Sequence, residues 1–176
     1  MRIIGGKYKS RRFSLPKNFK ARPTTDFARE NLFNILNNTL DWENTNALDL
    51  FSGTGSIAFE LISRGCAHVT SIEKDFNHYN FICSVKEKLS ADNLWAFKTD
   101  AFRYLKSNHE KFDFIFADPP YNMSDIDKLP ELIFNKELLN LEGLFILEHD
   151  KSHDFSKHRH FFKQKTYGSV NFSFFQ

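Results

Sequence analysis

The sequence predicts an α/β fold: a mostly parallel sheet covered by helices on both faces, with an antiparallel hairpin at the C-terminal end. Three observations carry this. From residue 47 onward, short apolar runs alternate with segments of helical period. The connections between them are short, which in a βαβαβ order selects parallel strands. The last two apolar runs are separated only by Tyr167-Gly168-Ser169, a hairpin turn.

The elements follow in order. Pro23 disfavours helix at Arg22, and Thr25 is placed to cap the helix that follows. That helix is expected over residues 26–40, with Ala28, Leu32, Phe33, Ile35 and Leu36 as its apolar stripe and Asp26 in its first turn, where the helix dipole favours an acid. Strands are expected at 47–51, 69–72, 94–97, 112–117 and 144–147. The helices between them are expected at 57–64, 77–89, 101–105 and 128–134, and the hairpin strands at 161–165 and 170–174.

The chain has 176 residues, one domain in size, and is 41% hydrophobic and 26% charged, a globular composition. Its net charge of +2 averages two unlike parts. Residues 1–22 carry Arg2, Lys7, Lys9, Arg11, Arg12, Lys17, Lys20 and Arg22 and no acid. The remaining residues have a net charge of −6. The expected organisation is therefore a basic N-terminal arm, 1–22, before a domain spanning 23–176. A basic arm interleaved with Tyr8 and Phe13 suits phosphate contact plus base stacking, although a solvated basic tail would have a similar composition. No apolar stretch is long enough to span a membrane, and no apolar segment follows the basic start as in a secretory signal. Cys66 and Cys83 lack a CxxC spacing, so a zinc site or disulfide framework is not expected and a reducing cytoplasm fits. His149, His153, His158 and His160 read as surface histidines rather than metal ligands. The 21 phenylalanines show no fixed spacing and read mainly as core filling.

The segment Asp49-Leu50-Phe51-Ser52-Gly53-Thr54-Gly55-Ser56-Ile57-Ala58 leaves a strand and opens a helix. Gly53, Gly55 and Ala58 satisfy G-x-G-x-x-G/A, the pattern of a tight turn that lets a nucleoside cofactor approach the backbone. Glu73 lies twenty residues beyond Gly53, at the end of the next strand, where an acid accepts ribose hydroxyls. Asp49 would repel a pyrophosphate and favours a cofactor with an amino group and a sulfonium; S-adenosylmethionine has both. Asp100 is either an acceptor for an adenine amine or a plain N-cap. The candidate cofactor residues are thus Asp49, Phe51, Gly53, Gly55, Glu73, Lys74, Asp100 and Ala101.

The apolar stretch Phe114-Ile115-Phe116-Ala117 delivers Asp118-Pro119-Pro120-Tyr121 at its carboxyl end, where open α/β sheets bind ligands. In an arbitrary protein this would read as a Pro-Pro turn. Behind a nucleoside-cofactor loop it reads as a catalytic loop. The prolines stiffen the backbone that carries Asp118, and Tyr121 offers a flat face to a base, a contact worth about 1–3 kcal/mol. An exocyclic amine is a poor nucleophile because its lone pair is delocalised into the ring. Hydrogen bonds to Asp118 and to the Pro119 carbonyl would orient it and favour its pyramidal form. Neither cysteine has the Pro-Cys context of a cytosine-C5 methyltransferase nucleophile.

Asp118–Tyr121 resembles motif IV of the amino-methyltransferases, and 49–55 resembles their motif I. Four further stretches resemble the small, single-domain bacterial 16S rRNA guanine-N2 methyltransferases: Met1-Arg2-Ile3-Ile4-Gly5-Gly6, Arg22-Pro23-Thr24-Thr25-Asp26 with Arg29-Glu30, Ser63-Arg64-Gly65, and Lys165-Thr166-Tyr167-Gly168. The resemblance runs end to end. It implies a seven-stranded, Rossmann-like class I fold that binds S-adenosylmethionine across Gly53, Gly55, Glu73 and Asp100, with Thr24 or Thr25 closing the methionine end. It implies 16S rRNA or an assembling small ribosomal subunit as partner, a monomer, and no metal. The chain departs from the family at Cys83-Ser84-Val85-Lys86, where an Asn is frequent. Two other readings stand beside this one. An adenine-N6 or cytosine-N4 DNA methyltransferase shares the D-P-P-Y logic but usually needs a target-recognition insertion, for which this length leaves no room. A non-catalytic rRNA-binding assembly factor would have no use for Asp118 and the intact glycine loop.

Overall fold

A computed structural model describes residues 1–15 and 25–176. Arg22 and Thr24, with Lys17 and Lys20 of the basic arm, lie outside the described residues. The elements in chain order are α1 (Asp26–Leu36), β1 (Asn46–Leu50), α2 (Ser56–Ser63), β2 (His68–Glu73), α3 (Phe76–Leu89), β3 (Leu94–Lys98), α4 (Ala101–Ser107), β4 (Phe112–Ala117), α5 (Lys128–Asn135), β5 (Leu139–His149), β6 (Phe161–Tyr167) and β7 (Val170–Phe175). The strands form one seven-stranded sheet in the order β3-β2-β1-β4-β5-β7-β6. β1 to β5 are parallel, and β7 joins antiparallel to both β5 and β6. The strand order turns between β1 and β4, and that is where a crevice opens at the carboxyl ends of a parallel sheet.

Alternation along the strands divides the interior into two cores. Phe114, Phe116, Leu144, Ile146, Phe172 and Phe174 pack with α1, α2 and α3; Ile115, Ala117, Phe145, Leu147 and Phe175 pack with α4 and α5. Phe114–Ala117, covered on both faces, are apolar without alternation, and the acid Asp113 lies only part-buried near the start of the strand. Among the described residues, eight phenylalanines are fully buried, so the core-filling expectation holds for those positions.

Two boundaries differ from expectation by more than two residues. α1 stops at Leu36, not at residue 40. Asn38 and Thr39 turn their side chains back onto the Asn34 and Ile35 carbonyls, an alternative to continuing the backbone ladder. β5 begins at Leu139, five residues before the apolar run. Its first residues, Leu139–Glu142, mix leucines with polar groups and are not buried, and its register against β4 shifts between Phe112 and Phe114. Asp113 accepts the Asn140 side-chain amide at 2.7 Å and the Asn46 backbone amide at 2.8 Å across the irregularity.

The first fifteen residues are built into the body. Arg2 and Arg12 form an antiparallel bridge, and Ile3 is 1% exposed within the core of α1, α2 and α3. Glu60 of α2, fully buried, accepts the backbone amides of Ile4 and Gly5. Ser63 completes the attachment: its carbonyl accepts the Lys7 amide at 2.6 Å and its hydroxyl the Tyr8 amide at 2.9 Å. Gly6 makes this approach possible, because at φ 70° a Cβ there would lie 1.8 Å from the Ser63 oxygen. Among the described residues, no helix is long and apolar enough to cross a membrane.

Candidate active site

The carboxyl ends of β1, β2, β4 and β5 and the loops that leave them line a cleft of about 680 Å³. It collects the predicted residues Asp49, Phe51, Gly53, Glu73, Lys74, Asp100, Ala101, Asp118, Pro119, Pro120 and Tyr121, with Thr25 at its edge. Gly55 stands behind the wall. It caps α2 at φ 73°, and a Cβ there would meet Phe59 of α2 at 2.9 Å and Ile82 of α3 at 3.0 Å, so the left-handed turn and this packing require glycine.

Glu73 ties the glycine loop to the next crossover. Its two carboxylate oxygens accept the Gly53 and Asp75 amides, each at 2.7 Å. Each oxygen keeps lone-pair capacity for a hydroxyl pair. Asp49 is 1% exposed and accepts the Ala58 amide at 3.2 Å. Burial pushes its carboxyl up to about 7, against the opposing hydrogen bonds. Asp100 serves as the N-cap of α4, accepting the Arg103 amide at 3.1 Å, and it also lines the cleft. Lys74 approaches Asp100 at 4.0 Å from an exposed position. The cleft lining holds six carboxylates, from Asp49, Glu73, Asp75, Asp100, Asp118 and Glu148, against one lysine. Such a wall repels a pyrophosphate and suits a cationic group carrying hydroxyls and an amine.

Asp118 leaves β4 beside β1, its amide 3.4 Å from the Leu50 carbonyl. Tyr121 donates its hydroxyl to Glu148 Oε1 at 3.0 Å. Burial first, then the charges of Glu148 and Asp118, raise its pKa far above the ordinary phenol value, so it stays a neutral donor. Glu148, 2% exposed at the end of β5, is a site residue that the sequence reading missed. Its signal was available: an apolar run followed by an acid is the same pattern that picked out Asp118. His149 beside it is fully buried, with its ring nitrogens on Ser173 Oγ at 2.8 Å and the Asp150 carbonyl at 2.7 Å, which corrects its reading as a surface residue. Ser169 and Val170 of the terminal hairpin also reach the cleft.

The arm residues stand apart from the cleft but are tied to its rim. Lys7, Lys9, Arg11 and Arg12 are exposed, with Lys7 and Arg11 over the Tyr8 ring at 4.8 and 5.7 Å. Arg2 pairs with Asp26 at 2.9 Å, one residue beyond the cleft-lining Thr25. Arg29, only 2% exposed, bonds both the Arg2 carbonyl and Asp26 at 2.7 Å. Thr25 accepts the Ala28 amide as the N-cap of α1. Among the described residues, no group of three His, Cys, Asp or Glu could hold a metal ion. Cys66 is buried, its thiol pushed up to about 12 by desolvation, which makes it inert at neutral pH.

The family described as Conserved hypothetical protein 95 matches residues 1–176. The Ribosomal RNA small subunit methyltransferase D of Buchnera aphidicola (subsp. Baizongia pistaciae) is 30% identical over 152 residues, covering 86% of this chain and 77% of that one. The protein of the same name from Escherichia coli K12 is 30% identical over 148 residues, covering 84% and 74%. A solved structure from Escherichia coli, provisionally named a methyltransferase, is 27% identical and superposes with a TM-score of 0.88, covering 100% of this chain and 97% of that one. With the family matched end to end and relatives of this identity over most of its length, the chain belongs to the family described as Conserved hypothetical protein 95, the family of the Ribosomal RNA small subunit methyltransferase D proteins.

Proposed function

We propose that the protein transfers a methyl group from S-adenosylmethionine to the exocyclic N2 of a guanine in small-subunit rRNA. The observation that carries this is the single cleft onto which the glycine loop, Glu73 and Asp118-Pro119-Pro120-Tyr121 all open. The relatives named as small-subunit rRNA methyltransferases supply the RNA class.

The residues present fit such a cofactor. Glu73 has acceptor capacity for ribose hydroxyls, Asp100 in the same cleft is a carboxylate suited to accept from an adenine amine, and the buried Asp49 carboxyl suits the cationic end. When bound, S-adenosylmethionine supplies a methyl group on a cationic sulfur that leaves as a neutral thioether. Asp118 and the Pro119 carbonyl accept the two amine hydrogens of the target base. This aligns the nitrogen lone pair, an effect that can contribute about 7–11 kcal/mol. The amine nitrogen would gain positive charge as it takes the methyl group, and Asp118 would stabilise that charge until one amine proton passes to solvent water. Tyr121, held by Glu148, stacks the base, which leaves its own stack to enter. The acidic cleft admits the base while the exposed cations of the N-terminal segment hold the phosphates outside it.

Mass spectrometry of rRNA nucleosides from a strain lacking the gene tests this reading. The expected result is loss of one N2-methylguanosine. Loss of a different methylated base would replace the target, and no loss would overturn the enzymatic reading. Asp118→Ala should retain cofactor binding and lose turnover by about 10²-fold or more. Near wild-type turnover would remove this loop from the chemistry.

A further inference from the structure

Asp118 and Glu148 are neighbours by register. Ala117 of β4 pairs with Leu147 of β5, so the next residue on each strand is a carboxylate, and both line the cleft. Tyr121 bridges the pair: its chain position follows the Asp118 loop and its hydroxyl ends on Glu148 at 3.0 Å. A base stacked on Tyr121 with its amine at Asp118 therefore has its neighbouring edge atoms on the side of Glu148.

Resting on the guanine-N2 reading above, we infer that Glu148 is the residue that selects guanine, by accepting the N1–H adjacent to the target amine. The chemistry is discriminating. Beside its exocyclic amine, guanine presents a ring N–H donor, whereas adenine beside N6 and cytosine beside N4 present a ring nitrogen lone pair. Asp118 and Pro119 accept two amine hydrogens from any of the three, so they specify an amine and not a base. A buried carboxylate at the adjacent position gains a charge-assisted hydrogen bond from guanine and meets a lone pair with every other amino base. The carboxylate has about four acceptor sites over its two oxygens, so the Tyr121 hydroxyl is one of several donors that it can accept. A carboxylate that only anchored Tyr121 would have no such preference, because a neutral amide accepts a phenol hydrogen equally well.

The test replaces the target guanine by 2-aminopurine, which keeps the N2 amine but carries a lone pair at N1. Small subunits are reconstituted with rRNA containing either base at the methylated nucleotide, and initial rates are measured with the full-length protein. The wild type should prefer guanine in kcat/KM by about 10²-fold or more. Glu148→Gln, whose amide can donate to N1 while its oxygen still accepts from Tyr121, should narrow that ratio at least tenfold and raise the absolute rate on 2-aminopurine. Tyr121→Phe should slow both substrates together and leave the ratio unchanged. Equal rates on the two bases with wild type, or an unchanged ratio in Glu148→Gln, would overturn the assignment. The wild-type comparison needs no variant to fold. Absence of any N2-methylguanosine with unmodified subunits would instead be the failure of the underlying reading.

Discussion

Gly53 donates its backbone amide to the Glu73 carboxylate at 2.7 Å, joining the tight turn after β1 to the acid that ends β2. The two halves of the glycine-loop pattern are thus one hydrogen-bonded unit, and the acid both shapes the turn and lines the cleft. Glu73→Ala should weaken S-adenosylmethionine binding by about 10–100-fold in titration calorimetry, since it removes charge-assisted bonds worth about 1.5–3 kcal/mol. Glu73→Gln should lose less, because its oxygen can still accept the Gly53 amide. Wild-type affinity in Glu73→Ala would remove this residue from the cofactor site.

Asp49 links cofactor affinity to pH. Its folded pKa, raised to about 7 by burial, exceeds the ordinary carboxylate value of 3.8. The folded state therefore holds an extra proton between these values, and the associated stability is complete below the lower value and lost as pH rises through the upper. Asp49→Asn keeps an acceptor for the Ala58 amide and should be more stable than wild type at pH 8, by about 1–3 kcal/mol in urea denaturation. Cation binding favours the ionised form, so wild-type affinity for S-adenosylmethionine should rise from pH 6 to pH 8. The Asn variant should bind weakly and without that slope. A flat wild-type profile would show that Asp49 does not titrate against the cofactor.

Glu60 fastens the N-terminal segment. Burial raises its carboxyl pKa, opposed by the Ile4 amide and the charges of Arg29 and Arg64. Removing it strands two backbone amides and leaves the Arg29 guanidinium with less compensating charge. Glu60→Ala should cost about 2–4 kcal/mol in global stability, read from the urea midpoint. Glu60→Gln should cost less. A midpoint unchanged in Glu60→Ala would mean that the segment contributes nothing to the fold.

The basic cluster should govern the salt dependence of RNA binding. If Lys7, Lys9, Arg11 and Arg12 each neutralise one phosphate, replacing all four by Gln should flatten the slope of log affinity against log salt by about 3, as expected for single-stranded RNA. Filter binding at several salt concentrations reads this directly. An unchanged slope would place the RNA on another surface.

Much of the site was legible because it sits at element boundaries. Strand ends, left-handed glycines and capping residues have local causes: the 112–117 run, the φ values of Gly53 and Gly55, and the Thr25 cap all follow from neighbouring residues. Glu148 and Glu60 were missed because their partners lie 27 and 56 residues away, at Tyr121 and Ile4. No local period records those pairings. The early end of α1 was missed because apolar periodicity does not weigh side chains that compete for backbone carbonyls.

The sequence by itself determined the order of strands and helices, the mixed character of the sheet, and which acids and glycines stand where ligands bind. Hydrophobic period and turn chemistry act over a few residues, so they can be read along the chain. Only the tertiary structure decided that the basic N-terminal segment folds onto α2 and that Glu148 stands beside Asp118. Both depend on buried polar groups finding distant partners, a requirement imposed by desolvation once the sheet has closed.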